Sequence, residues 1–391
     1  MEGDFIKIND WLLPLSWIYG AGVRLRNQMF EMGMLKSRSF DIPVISVGNI
    51  TVGGSGKTPH VEYLINLLRD KVKVAVLSRG YKRKSKGYML ATADTPMSDI
   101  GDEPYQMKKK FADIYVAVDK DRCHGIDQLT ANEETSDTDV ILLDDAYQHR
   151  YVKPGVNILL VDYHRLIMYD KLLPAGRLRE PQKGKARADI VIVSKCPAEL
   201  KPMEFRVITK AMNLFPYQKL YFTTLKYSSL RPIYGGEDRK LDTLTGDTSI
   251  LLLTGIASPQ QMIVDLKPYT ERITPLTFPD HHQYTDADID RINAEFEAMK
   301  GNDKMIVTTE KDNARLCGME GLSDEVKKNI YVLPVEVGFM LDQEEDFNEN
   351  IIGYVRKNSR NSILAKAKDD NKSDNSDNSG NRTRTISFRN N

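Results

Sequence analysis

The run Gly53-Gly54-Ser55-Gly56-Lys57-Thr58 carries the most direct chemical meaning in the chain. Glycines let a backbone approach an anion closely, successive N–H groups can point at it, and a lysine followed by a hydroxyl adds a mobile cation and a metal ligand. Against the pattern G-x-x-x-x-G-K-[ST], only the first position departs, where Thr51 stands in place of glycine. The setting is the required one: an apolar PVISV before the loop and an apolar-periodic HVEYLINLL after it give strand, loop and helix. Thr51, Val52, Gly53, Gly54, Ser55, Gly56, Lys57 and Thr58 are therefore the candidate nucleotide cradle. Lys57 would reach the β- and γ-phosphates, and Thr58 would set its hydroxyl on Mg2+.

Such a site also needs an acid at the end of a neighbouring strand to hold the metal, directly or through water. The apolar run Val140–Leu143 ends in Asp144 and Asp145 and continues as Ala146-Tyr147-Gln148-His149-Arg150. One of the two carboxylates could instead cap a following helix. Gly101-Asp102-Glu103-Pro104, taken alone, reads as a helix start with an N-cap acid and an early proline. Asp280-His281-His282 offers a zinc-like cluster without further ligands at metal-site spacing, or an acid and imidazole able to take a proton from a hydroxyl. Two basic loops remain. Ser78 to Lys84 (SRGYKRK) reads equally as a phosphate contact and as a solvated run. In Leu173 to Pro181 (LPAGRLREP), proline and glycine fix the backbone around Arg177 and Arg179, whose forked guanidinium groups suit phosphate.

The elements that must position these residues are legible as apolar runs at 42–47, 72–77, 114–118, 140–143, 158–161 and 190–193. Runs apolar on both faces and separated by helix-length segments predict a doubly wound, mostly parallel sheet, an α/β core of the P-loop NTPase type. Further runs at 220–223, 250–253 and 305–307, with a helix over 286–299, predict a second, smaller α/β lobe. The expected division is an N-terminal helix at 1–40, a core at 41–205, a second lobe at 206–356 that contributes to the active-site cleft, and a polar disordered tail at 357–391. The N-terminal segment places Trp11, Leu12, Leu13, Leu15, Trp17, Ile18 and Tyr19 ahead of Arg24 and Arg26. It would either lie in a lipid headgroup layer or pack on the core.

Composition narrows the class. Lys plus Arg and Asp plus Glu each total 55 of 391 residues, so no whole-chain field draws in nucleic acid, and any basic site must be local. Cys123, Cys196 and Cys317 form no CxxC pair and no zinc framework. The acidic, polar start MEGDFIKIND does not read as a secretory signal, and no run reaches the roughly 20 apolar residues that span a bilayer.

The motifs together resemble the tetraacyldisaccharide 4'-kinase family in content and order: VGNITVGGSGKTP from Val47, SRGY at Ser78, GDEP at Gly101, DDAYQHR at Asp144, LLPAGRLREP at Leu172, TGIASP at Thr254, FPDHH at Phe278 and TEKD at Thr309. The likeness covers roughly residues 10–355, and it includes the imperfect first glycine. Ala146 and Tyr147 stand where the family carries Gly-Phe or Gly-Leu, and Lys82 and Arg83 make the SRGY loop more basic than usual. The resemblance implies transfer of the ATP γ-phosphate to the 4'-hydroxyl of a tetraacyldisaccharide 1-phosphate. The product is lipid IVA, made at the cytoplasmic face of the bacterial inner membrane. It implies Asp102 as catalytic base assisted by His281, Lys57 on the transferring group, Mg2+ on Thr58, Asp144 and Asp145, and Asn49, Arg79, Gln148, His149, Arg177 and Arg179 around the substrate. No nucleic acid or obligate protein partner is implied. A P-loop GTPase-like switch would need a guanine-reading NKxD, which the chain lacks. A small-molecule kinase would need only that the N-terminal helix pack on the core.

Replacing Lys57 by Ala removes the cation expected to follow charge on the transferring phosphoryl group. The expected loss is about 3–5 kcal/mol of transition-state stabilisation, read as kcat falling by orders of magnitude in a folded variant. Wild-type turnover would overturn the loop assignment.

Overall fold

The computed structural model describes residues 8–256, 259–280, 282–316 and 319–359. His281, Cys317 and the tail from 360 onward lie outside the described residues.

Nine strands form the larger sheet: β1 (Val44–Gly48), β2 (Val74–Ser78), β3 (Met89–Leu90), β4 (Tyr115–Val118), β5 (Val140–Asp144), β6 (Val156–Asp162), β7 (Ile190–Ser194), β8 (Lys219–Tyr227) and, much later in the chain, β14 (Val335–Phe339). Their spatial order is β14-β8-β7-β6-β1-β5-β2-β4-β3. The strands from β8 to β4 run parallel, and β3 and β14 are antiparallel edges. β1, β2, β5 and β7 are buried at every position, as expected of strands covered on both faces. The doubly wound core expected from the apolar runs is present.

Helices on both faces complete it. These are α1 (Leu13–Glu31), α2 (Lys57–Leu68), the short α3 (Met97–Ile100), α4 (Asp102–Lys110), α5 (Arg122–Ala131) and α6 (Pro202–Met212). α2 drives Val61, Leu64, Ile65 and Leu68 into the core beside Ile45, Val47, Val74 and Val76.

The smaller sheet has the order β11-β10-β12-β13-β9, built from β9 (Arg231–Pro232), β10 (Ser249–Thr254), β11 (Ile273–Thr277), β12 (Lys304–Thr308) and β13 (Ile330–Val332). Around it lie α7 (Gln260–Leu266), α8 (Asp286–Ala298), α9 (Glu310–Leu316) and α10 (Asp324–Asn329).

The strand pairing corrects the expected boundary. β8 adds to β7 in parallel and β14 adds to β8 antiparallel, so residues past 205 continue the first sheet. α11 (Glu344–Asn358) then returns to the first core, burying Phe347, Ile351 and Val355 there. Tyr354 Oη accepts a hydrogen bond from the Val44 N–H at 3.3 Å. The second lobe is thus an insertion, residues 228–334, between two strands of the main sheet. A linear reading of apolar runs cannot detect this, because β8 looks the same whichever sheet completes it.

α1 reverses the usual arrangement of an amphipathic helix. Its N-terminal half is anchored by polar contacts, the Ala175 N–H donating to Ser16 Oγ at 2.9 Å, Ser16 Oγ to the Leu172 carbonyl at 3.0 Å, and Tyr19 Oη to the Arg179 carbonyl at 2.9 Å, while Phe30 near its other end is buried against Tyr151. Its outward residues are large and apolar, with Trp17 70% and Ile18 72% exposed, next to Trp11 at 93%. No described helix is long and apolar enough to cross a membrane.

Candidate functional site

Parallel pairing brings Val47 of β1 opposite Asp144 of β5, so the glycine loop leaving β1 and the acid pair leaving β5 emerge side by side at the carboxyl ends of the central strands. Gly56 is the N-cap of α2 with φ +77°, a left-handed conformation open to glycine, and the turn aims the first N–H groups of α2 into the loop. Lys57 and Thr58 are the first two residues of that helix.

The loop is braced from beneath. Asn49 Nδ2 donates to Ser55 Oγ at 2.7 Å, Gln148 Nε2 donates to the Asn49 carbonyl at 2.5 Å, and Ser194 Oγ donates to the Ser55 carbonyl at 2.9 Å. Lys195 Nζ, at the end of β7, bonds the Gly54 carbonyl and pairs with Asp162 at 3.0 Å. The arginine loop is stitched along the other edge. The Val52 N–H donates to the Arg177 carbonyl at 2.8 Å, the Arg179 N–H to the Ile50 carbonyl at 2.7 Å, and Thr51 pairs with Leu178 as an isolated bridge. Asp170, its carboxylate buried, accepts from Arg165 Nε at 2.7 Å and from the N–H groups of Lys171 and Arg177, which fixes the fold of that loop.

Two expectations change accordingly. Asn49, expected at the substrate, is completely buried and acts on the loop's shape. The N–H of Val52 is committed to the arginine loop. Gln148 bridges Asn49 and Arg179, whose Nη1 lies 3.4 Å from Gln148 Oε1.

Asp145 lies 3.6 Å from Lys57 Nζ and 3.5 Å from Arg179 Nη1. Burial acts to raise its pKa, but Lys57 and Arg179 outweigh that and hold it below the usual carboxylate value. Asp144 is buried and accepts from Ser78 Oγ at 3.2 Å. Burial, then the neighbouring Glu103 and Asp145, push it up to about 7. Buried Arg122 donates to the Asp144 carbonyl at 3.2 Å, and desolvation lowers its own pKa to about 10. His60 is also buried, between the Gly56 carbonyl (2.7 Å) and Thr223 Oγ1 (3.0 Å), and burial holds it neutral, near 4.

Asp102 is not the cap of α4. Gly101 occupies that position with φ +91°, and a Cβ there would lie 2.9 Å from the Tyr81 carbonyl, so glycine alone lets the GDEP and SRGY segments touch. Asp102 instead faces the inserted lobe, where Arg315 reaches it at 2.6 Å. Beside it, Lys311 lies 3.7 Å from both Glu103 and Asp280. His282 turns away to Asp288 at 2.9 Å and stacks on Phe278.

Arg79 and Arg177 are exposed at the rim, while Arg83 turns inward to the carbonyls of Val118 and Gly87 and braces its own loop. His149 lies beside Asp121 and Cys123, its ring kept neutral by burial and then by Arg122, near 4. Tyr147 keeps its ring buried, and its hydroxyl donates to the Gly184 carbonyl at 2.7 Å, so the Ala-Tyr departure is accommodated. Arg122, Arg315 and Lys195 carried no motif signal. Only Lys195 had a position to suggest it, the carboxyl end of a strand.

A glycine loop on a helix N-terminus, a lysine at the first helical position and acids on the adjacent strand define a P-loop phosphotransferase site. Residues 8–356 match the tetraacyldisaccharide-1-P 4'-kinase family. Tetraacyldisaccharide 4'-kinases of Phocaeicola vulgatus and Bacteroides thetaiotaomicron are 60% and 54% identical, each alignment covering 93% of this chain and 99% and 98% of theirs. A crystal structure of "apo" form LpxK from Aquifex aeolicus in complex with ATP is 31% identical with a TM-score of 0.66, covering 88% of this chain and 98% of that one. The chain belongs to the tetraacyldisaccharide 4'-kinase family.

The raised Asp144 carboxyl ties stability to pH. The native state binds its proton more tightly than the unfolded chain does, so this contribution declines as pH rises from the ordinary carboxylate range through about 7. In metal-free buffer Asp144→Asn should melt above wild type at pH 8, by roughly 2–4 °C, and alongside it at pH 5. An equal difference at both pH values in scanning calorimetry would refute the assignment.

Proposed function

We infer that this protein is an ATP-dependent kinase that phosphorylates the 4'-hydroxyl of tetraacyldisaccharide 1-phosphate, working on a lipid surface at the cytoplasmic face of the inner membrane. The observation that carries the acceptor is the junction between the phosphate loop and α1. Leu178 pairs with Thr51 on one side, and on the other it lines an open cavity of about 720 Å³ together with Leu13, Trp17, Arg24 and Leu172. An acylated acceptor can therefore reach the loop from the side on which α1 exposes Trp17 and Ile18, next to exposed Trp11.

The phosphate loop binds the nucleotide, and Lys57 follows charge onto the transferring group. Asp145 Oδ1 is buried without a hydrogen-bond partner, and Asp144 has a raised pKa beside it, so the acid pair fits a hard divalent cation, with the Thr58 hydroxyl as a third donor. Bound there, Mg2+ would neutralise phosphate charge. Asp102 accepts the acceptor's hydroxyl proton as that oxygen bonds the γ-phosphorus and the bond to the β-phosphate breaks, leaving ADP. His281 assists it, and Arg79, Arg177 and Arg179 hold the anionic groups at the rim.

Two experiments test this reading. With detergent-solubilised tetraacyldisaccharide 1-phosphate, Asp102→Asn should stay folded and bind ATP but lose at least about a hundredfold in kcat, with melting lowered because buried Arg315 loses a charged partner. A kcat within about threefold of wild type across pH 6–9 removes Asp102 from the chemistry. Deleting residues 1–35 should lower vesicle sedimentation and raise KM for lipid more than KM for ATP. An unchanged lipid KM would count against the interfacial helix.

A further inference from the structure

The carboxylate read as the base is held by the inserted lobe. Arg315, in α9, sends Nε and Nη2 to Asp102 Oδ2 at 2.9 and 2.6 Å, and both bonds fall on that one oxygen. Arg315 is itself immobilised: its side chain is 2% exposed, and Nη1 donates to the Gly255 carbonyl at 3.0 Å and to Asp312 Oδ1 at 3.1 Å. The other oxygen of Asp312, a fully buried side chain, accepts from the Gly255 N–H at 2.9 Å and from Thr309 Oγ1 at 2.7 Å. A surface ion pair holds little, but a buried guanidinium held at every arm is a rigid reference for whatever it touches.

We propose that Arg315 is a positioning residue for phosphoryl transfer. It aims the Asp102 carboxylate at the acceptor, and it does so only while α9 lies against α4, so the inserted lobe completes the site. The proposal rests on the reading of Asp102 as base. Phosphoryl transfer asks little covalent chemistry of the protein, which makes orientation of the accepting oxygen matter more than its basicity. The same seam has links that do not involve Arg315. Lys110 of α4 pairs with Glu62 at 2.6 Å and with Glu310 of α9 at 2.7 Å, and Lys311 of α9 faces Glu103 of α4 at 3.7 Å. Loss of Arg315 should therefore disturb the aim of the carboxylate more than it loosens the lobe.

The test is a cycle in the full chain: Arg315→Gln, Asp102→Asn and the double variant, with kcat, KM for ATP and melting measured for each. Arg315→Gln should lower kcat by about 30- to 100-fold with KM for ATP within about threefold, and in the Asp102→Asn background it should cost less than about threefold. A residue that only cements the lobe would lower melting, and its effect on kcat would be the same in both backgrounds. That additive result, or a kcat for Arg315→Gln within about threefold of wild type, overturns the proposal while a crippled Asp102→Asn leaves the base reading standing. A fully active Asp102→Asn overturns the base reading instead, whatever Arg315→Gln does. Should Arg315→Gln melt below the assay temperature, Arg315→Lys carries the same cycle, since it keeps the charge and lacks the fork that delivers two bonds to one oxygen.

Discussion

The parallel pairing of β1 with β5 governs the site. It places Asp144 and Asp145 beside the loop that begins at Gly48, close enough for Lys57 to lie 3.6 Å from Asp145. A shift of register by one residue would turn the acid side chains to the opposite face of the sheet. Burial of β1 and β5 at every position guards against that slip, because each face of these strands packs against covered core. The apolar strands are thus what hold the charges, and the charges in turn bear the cost of their burial through one another: Asp145 is kept ionised by Lys57 and Arg179, while Asp144 is pushed towards the neutral form.

Around that pair, loops from distant parts of the chain stiffen the phosphate loop. Asn49, Gln148, Ser194 and Lys195 support it from below, and the backbone of 177–179 supports it from the side. A loop held this way pays its ordering entropy during folding and not on nucleotide binding. The same arginine loop carries α1 on its outer side through Ser16 and Tyr19. One short segment therefore joins the phosphate site to the apolar helix surface. The inserted lobe meets the core through α9 and α4, where Arg315, Lys110 and Lys311 form an ionic seam.

The sequence by itself determined the core and the nucleotide chemistry. Strands apolar on both faces, a glycine loop ending in Lys57 and Thr58, and an acid pair closing an apolar run are local patterns, and local patterns survive in one dimension. It also supplied the family, because several motifs in a fixed order are far more specific than any one of them. Only the tertiary structure decided that β8 and β14 belong to the first sheet, since an edge strand reads alike whichever neighbour it pairs with. It alone showed Asn49 as a buried brace and Asp102 as the partner of Arg315 and not the cap of its helix. Those contacts join residues up to 213 positions apart, and no spacing rule reaches across such a separation, because the chain between them folds independently of the pair it brings together.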